Sequence, residues 1–208
     1  MDELQISKKL ADIKPDIMNK DHYLVSEVLL PLINDGQDIK ILFEVRAREL
    51  HSQPGEICFP GGHVEQGELL QPGTAAMRET MEELGLSASD IKPLGTLDRL
   101  VTPMGMLICP FVGQILNPKT IIPNRAEVAE IFTIPLSFLK SYQPQASCVE
   151  IATRYGPNFP IHRIPDKYKG DWAKRWSFPA YIYEYKNYFI FGLTALILHR
   201  FLDIIFEE

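Results

Sequence analysis

Apolar residues along the chain fall into short runs broken by glycine, proline and asparagine, the pattern of β-strands. His22 to Ile33 carries Tyr23, Leu24, Val25, Val28, Leu29, Leu30 and Leu32 and stops at Asn34-Asp35-Gly36. Asp38 to Arg46 repeats the pattern, so the two runs predict a hairpin with its turn at Asn34–Gln37. Glu56 to Phe59 predicts a short strand that stops at Pro60-Gly61-Gly62, and 94–101 and 106–116 predict paired strands around Pro103-Met104-Gly105. Ala129 to Ile134, Val149 to Arg154 and Ala180 to Tyr185 read as further strands. Helical spacing appears weakly over 4–19 and clearly after the loop His63 to Gln71, where Pro72 suits a first turn and Ala75, Ala76, Met77 and Thr80 can face a core. Gly85 sits where a left-handed C-terminal cap is expected. A short helix over Pro135 to Tyr142 and a C-terminal helix within the apolar stretch Tyr188 to Phe206 complete the set. The Pro-rich segment 155–179 is the least regular part. Strands and helices mix without regular βαβ alternation, which predicts an α+β fold with a mixed sheet and helices on both faces.

The 208 residues suit one domain over 22–208 preceded by an N-terminal helical extension over 1–21. A net charge of −6 argues against nucleic acid or an anionic membrane as partner, but leaves a small phosphorylated substrate open, because a bound metal inverts the local field. Cys58, Cys109 and Cys148 are odd in number and widely spaced, which reads as reduced, buried thiols in a cytoplasmic protein. No signal peptide is apparent at the N-terminus, and His199, Arg200 and Asp203 interrupt the longest apolar stretch, so no membrane span is expected.

Chemistry enters with Glu79, Glu82 and Glu83, which at i, i+3 and i+4 share one helical stripe. Like charges so close call for a compensating cation. Oxygen-rich clusters suit Mg2+ or Mn2+, which grip phosphates in turn. A glutamate-rich helix is otherwise simply a solvated face. With Gly62, Glu68, Arg78 and Gly85, these residues follow the order of the signature box of the Nudix hydrolases, and the chain resembles that family. Five residues separate Gly62 from Glu68 as in the box, whereas nine rather than the usual seven separate Glu68 from Arg78, and Thr80 replaces an apolar residue. The resemblance implies an α/β/α sandwich with the box as loop–helix–loop, with Glu79, Glu82 and Glu83 holding metal and, through it, a pyrophosphate. It gives Arg78 a bidentate contact to a loop carboxylate such as Glu68, and makes Gly61 and Gly62 a tight turn whose carbonyl approaches the metal.

Upstream, Leu42-Phe43-Glu44-Val45-Arg46-Ala47, His51, Gly55 and Phe59-Pro60-Gly61-Gly62 resemble the motif of the coenzyme A pyrophosphatase branch in every spacing. They depart from it at Phe43, at Glu44 (usually Thr), at Ala47, and at His51 (usually Arg). Asn124 to Leu136 and Ile190 to Ala195 are similar to further stretches of that branch. The resemblance implies hydrolysis of coenzyme A or acyl-CoA to 3′,5′-ADP and (acyl-)4′-phosphopantetheine, with Arg46 and His51 contacting substrate phosphates. It leaves open another nucleoside diphosphate derivative such as ADP-ribose, NADH or a dinucleoside polyphosphate, a binding module without activity, and a homodimer. Glu127 and Glu130 both qualify as a further ligand or general base from across the cleft, with Glu127 preferred. Segment 155–179 pairs Tyr155, Phe159, Tyr168, Trp172, Trp176 and Phe178 with five cations. Such a segment can stack on adenine, or be a surface loop anchored by its tryptophans in the core or at a subunit interface. Cys58, beside Phe59-Pro60, reads as a structural thiol.

Overall fold

The computed structural model describes residues 2–13, 17–19, 22–65, 67–68, 71–169 and 172–207. Helix α1 (Glu3–Ala11) opens with a capping box in which Asp2 and Gln5 exchange hydrogen bonds, and it buries no residue. It is shorter than the 4–19 pattern suggested. Helices end at or before the residue preceding a proline, and Pro15 follows closely. Residues 14–16 of that expected helix and 20–21 of the expected extension lie outside the described residues.

The predicted hairpin is present as β1 (Leu24–Asn34) and β2 (Ile39–Arg46), antiparallel with Leu32 opposite Ile41. β3 (Ile57–Cys58) pairs with β2. Where Pro60-Gly61-Gly62 was expected to end the strand, the chain re-enters the sheet as β4 (Gly61–His63), antiparallel to β1. β5 (Ile91–Thr96), β6 (Leu100–Val101) and β7 (Met106–Ile115) form antiparallel pairs, and β7 runs parallel to β1 along ten residue pairs from Leu24↔Met106 to Ile33↔Ile115. With β8 (Val128–Pro135) on β2, these strands make one mixed, eight-stranded sheet.

Alternation along the strands explains the layers. Leu29, Ile33 and Leu42 face Ala76 and Leu84 of α2 (Thr74–Leu84) on one side of the sheet. Leu30, Ile41 and Phe43 point the other way, toward Ala195, Leu198, Phe201 and Leu202 of α4 (Gly192–Phe206). Each such leucine stabilises the sandwich by about 1.5–3 kcal/mol. The fold is the expected α+β arrangement of a mixed sheet between helices. α3 (Leu136–Ser141) follows β8 directly.

Segment 155–179 is more regular than its prolines imply. β9 (Gln145–Thr153) and β10 (Ala173–Tyr185) form a long antiparallel hairpin, continued by β11 (Tyr188–Ile190) into a three-stranded sheet. β10 therefore starts well before Ala180. Trp172 and Trp176 are 64% and 57% exposed, so neither anchors the segment in the core. Among the described residues, no helix is long and apolar enough to cross a membrane.

Candidate active site

Helix α2 begins at Gly73, which offers no side chain to cap the first turn. The cap comes from β1. Buried Glu27 accepts hydrogen bonds from the backbone N–H groups of Gly73 (3.0 Å), Ala75 (3.0 Å) and Ala76 (3.4 Å). A carboxylate there satisfies N–H groups that have no partner within the helix and meets the positive end of its dipole. The sequence signal was weak: a Ser26-Glu27 pair inside an otherwise apolar strand. At the other end Gly85 takes the expected left-handed conformation (φ 65°), and its N–H donates to Met81 O. The next loop then docks on the helix terminus, with Ile122 N donating to Leu84 O (2.9 Å) and Asn124 N to Glu83 O (2.8 Å). That docking fixes Glu127, whose carbonyl accepts from Ala47 N (2.8 Å) and whose carboxylate accepts from Asn124 Nδ2 (3.1 Å).

The buried stripe of α2 is Ala75, Ala76, Thr80, Glu83 and Leu84. Thr80 fits where an apolar residue is usual because its hydroxyl donates to Ala76 O (2.6 Å). Carboxylate oxygens of Glu79, Glu83 and Glu127 converge within 4.8 Å of one another. Glu82 lies outside this trio; its side chain is 57% exposed, 3.6 Å from Arg78 Nη1. Glu130 is turned away, accepting from the Tyr188 hydroxyl, whose ring stacks on Phe132. Of the two carboxylates considered on that loop and strand, the structure brings Glu127 to the cluster.

Glu83 accepts from Gly61 N (2.9 Å). Burial pushes its pKa up to about 7, helped by the charges of Glu79 and Glu127 and opposed by the Gly61 hydrogen bond. Gly61 thus presents its N–H to the cluster's carboxylate, and a Cβ there would lie 2.3 Å from Glu27 O. A Cβ on Gly62 would lie 2.3 Å from Glu79 Oε1. The double glycine is therefore a close approach of strand to helix, which is why it pairs in the sheet rather than turning out of it.

Arg78 ties the preceding loop to the helix. Its Nε and Nη2 donate to the two oxygens of Glu68 (2.8 and 3.2 Å), Nη2 also to His63 O (3.2 Å), and Nη1 to Glu79 (2.8 Å). The bidentate contact holds Glu68 below the usual carboxylate range and raises Arg78 further. The two added residues before the helix leave this contact intact.

Beneath the cluster, β2 contributes a residue whose burial the sequence did not disclose. Glu44 is 1% exposed, and its Oε1 has no hydrogen-bond partner. Burial, then the charge of Glu83, push its pKa well above the usual carboxylate range. Burial and Glu44 also push the Cys58 thiol up to about 12, which fits a structural thiol rather than a nucleophile. The three thiols are not all buried as expected: Cys58 and Cys109 are half-buried, and Cys148 is exposed because it lies on β9 of the outer hairpin. Arg46 ends β2, donates Nε to Ser52 O (3.3 Å), and lies close enough to counter the charge of both Glu44 and Glu83. His51 is exposed in the loop between β2 and β3, outside the carboxylate cluster. An apolar cavity of about 340 Å³ lies on the flank of α2 toward β5 and β7, lined by Met77, Met81 and Phe111, and does not include the cluster.

Carboxylate oxygens alone make a donor set for a hard divalent cation; Arg78 pairs with Glu79 and Arg46 lies near Glu83, fewer cations than the three clustered anions. A divalent cation therefore fits these residues.

A NUDIX domain matches residues 24–146. The peroxisomal coenzyme A diphosphatase NUDT7 of Mus musculus is 29% identical over 94% of this chain and 77% of that protein. The peroxisomal coenzyme A diphosphatase ndx-8 of Caenorhabditis elegans is 39% identical over 53% of this chain and 48% of that protein. An uncharacterized Nudix hydrolase, NudL of Pectobacterium atrosepticum, is 30% identical over 94% of this chain and 90% of that protein. A crystal structure of a Nudix hydrolase from M. smegmatis aligns with a TM-score of 0.46 at 24% identity, over 55% of this chain and 71% of that one. Domain match, sandwich and converging carboxylates together place the chain in the Nudix hydrolase family.

Proposed function

We propose that this Nudix hydrolase cleaves the pyrophosphate of coenzyme A or acyl-CoA, with Mg2+ or Mn2+ bound by Glu79, Glu83 and Glu127 and with Glu82 contributing from the exposed side. The observation that carries the reading is where the upstream motif leads. β2 delivers Arg46 to the edge of the carboxylate cluster, and Phe59-Pro60-Gly61-Gly62 runs directly beneath it, with Leu29 N donating to Pro60 O (2.8 Å) and Gly61 N to Glu83. The names of two relatives support the same substrate.

The bound cation would neutralise charge developing on phosphate oxygens and make water more acidic. The protein's own groups do the rest. Arg78 holds loop and helix in register through Glu68 and Glu79. Gly61 N–H orients Glu83. Arg46 and His51 bind anionic substrate oxygens at the open side, Arg46 as a permanent cation and His51 as a weaker one than the arginine usual there. Glu127, partly exposed and adjacent to Glu83, takes the ligand role of the two considered for it and completes the set of carboxylates around the cation. The free thiols of Cys58, Cys109 and Cys148 support a cytoplasmic site of action; two relatives are named for peroxisomes, and cell fractionation separates the two locations.

The test is incubation of purified protein with Mg2+ or Mn2+ and a panel of coenzyme A, acetyl-CoA, ADP-ribose, NADH and a dinucleoside polyphosphate, with chromatography of products. Formation of 3′,5′-ADP from the first two, at the highest kcat/KM of the panel, is expected. Faster turnover of another member would refute the substrate; no metal-dependent product from any would refute the activity.

A further inference from the structure

Among the described residues, Glu44 Oε1 is the buried side-chain polar atom left without a hydrogen-bond partner. It stands on β2 opposite Cys58 of β3 and Ile131 of β8, on the sheet face where Leu42 packs under α2. A carboxyl oxygen sealed from water without a hydrogen bond is destabilising, and such groups persist where something outside the protein chain completes them. Its charged neighbours are Glu83 and Glu127, of the same sign, and Arg46, whose Nε is engaged by Ser52 O. Glu44 therefore puts a further carboxyl group under α2, close enough to Glu83 to feel its charge.

The cluster's ligand atoms converge from Glu79, Glu83 and Glu127 without Glu44, which places it behind them rather than among them. Magnesium-like ions keep several waters when bound by few carboxylates. We propose that Glu44 is an outer carboxylate of the cation site, accepting a hydrogen bond from hydration water of a divalent ion held by Glu79, Glu83 and Glu127. This rests on the cation reading above and assigns the buried residue a part in it. Outer partners of metal sites fix the orientation of the inner shell, and their loss typically weakens metal affinity by about 10- to 100-fold.

The experiment uses Mn2+ alone, with free ion followed by electron paramagnetic resonance in ligand-free protein, and needs no substrate. E44Q removes the charge while keeping the shape, and E44T restores the residue usual in the motif. Both are expected to raise the Mn2+ dissociation constant by about 10-fold or more, while E130Q leaves it unchanged. Thermal unfolding of metal-free E44Q should match wild type, which separates the proposal from a packing role. Should E44Q fail to fold, E44T decides. A folded variant that binds Mn2+ as tightly as wild type overturns the role of Glu44 and leaves the cation site standing; a wild type that binds no Mn2+ overturns both.

Discussion

The carboxylate cluster and the β9–β10 hairpin are both rich in charge, and they are built in opposite ways. The cluster draws Glu79 and Glu83 from α2, Glu127 from the loop before β8 and the Gly61 N–H from β4, and contacts from other elements fix it: Gly61 N on Glu83, the close approach of Gly62 to Glu79, and Ala47 N on Glu127 O. The hairpin buries Tyr183 of β10 in the core beside α4, but its far end rests on its own backbone ladder, with Arg154 over the Trp172 ring and Arg175 over that of Tyr168 on the outside. Burial in the first region raises the pKa of Glu83 and of Glu44 and lets each feel the charge of its neighbours. Charges in the second are solvated and screened. The contrast teaches that carboxylate density is informative only where the fold removes water from it.

The largest expected effects come from breaking the first region. E83Q and E79Q should each lower coenzyme A hydrolysis by at least about 100-fold, measured as initial rates at saturating Mg2+. E82Q should lower it by less, because its side chain is half-exposed and outside the converging trio. Equal losses at Glu82 and Glu83 would contradict the geometry. Next comes the support under the helix. E27A leaves three N–H groups at the start of α2 without their acceptor and should destabilise the protein by about 2 kcal/mol in urea unfolding. An unchanged midpoint would remove Glu27 from the account.

A pH series sharpens the comparison further. Glu83 titrates near 4.5 when unfolded and at about 7 when folded, so the native state binds its proton more tightly. Metal-free stability from this group is therefore greatest below about 4.5, falls as pH rises toward about 7, and levels off above it. The difference in stability between wild type and E83Q in the presence of a chelator should show that fall; a rise across the same window would contradict it. The smallest effects belong to the hairpin. W176A should change stability by about 0.5 kcal/mol or less, as at an exposed position, and leave Mn2+ affinity unchanged.

The same contrast explains what the sequence made legible. The β1–β2 hairpin, α2 and its Gly85 cap were readable because apolar period and turn residues act locally. The Arg78–Glu68 contact followed from motif order, and the lengthened loop absorbed two residues without disturbing it. The start of β10 before Ala180 was hidden because Ala173 to Phe178 carries two adjacent cations, Lys174 and Arg175, and an exposed Trp176, and so shows no core-facing period. Gly61-Gly62 looked like a turn because close approach of a strand to Glu27 and Glu79 leaves the same glycine mark as a bend. The inward burial of Glu27 and Glu44 was invisible in the sequence for a common reason. A single carboxylate in an apolar strand reads as an outward position until the partners on the next layer are known.

Manganese-soaked crystals give the most direct measurement of the central claim, through anomalous scattering at the manganese edge. The account predicts a peak among the carboxylates of Glu79, Glu83 and Glu127, with Glu44 behind it and Gly61 N–H still on Glu83. Those side chains turned apart with no peak between them, at Mn2+ concentrations that support hydrolysis in solution, would contradict it.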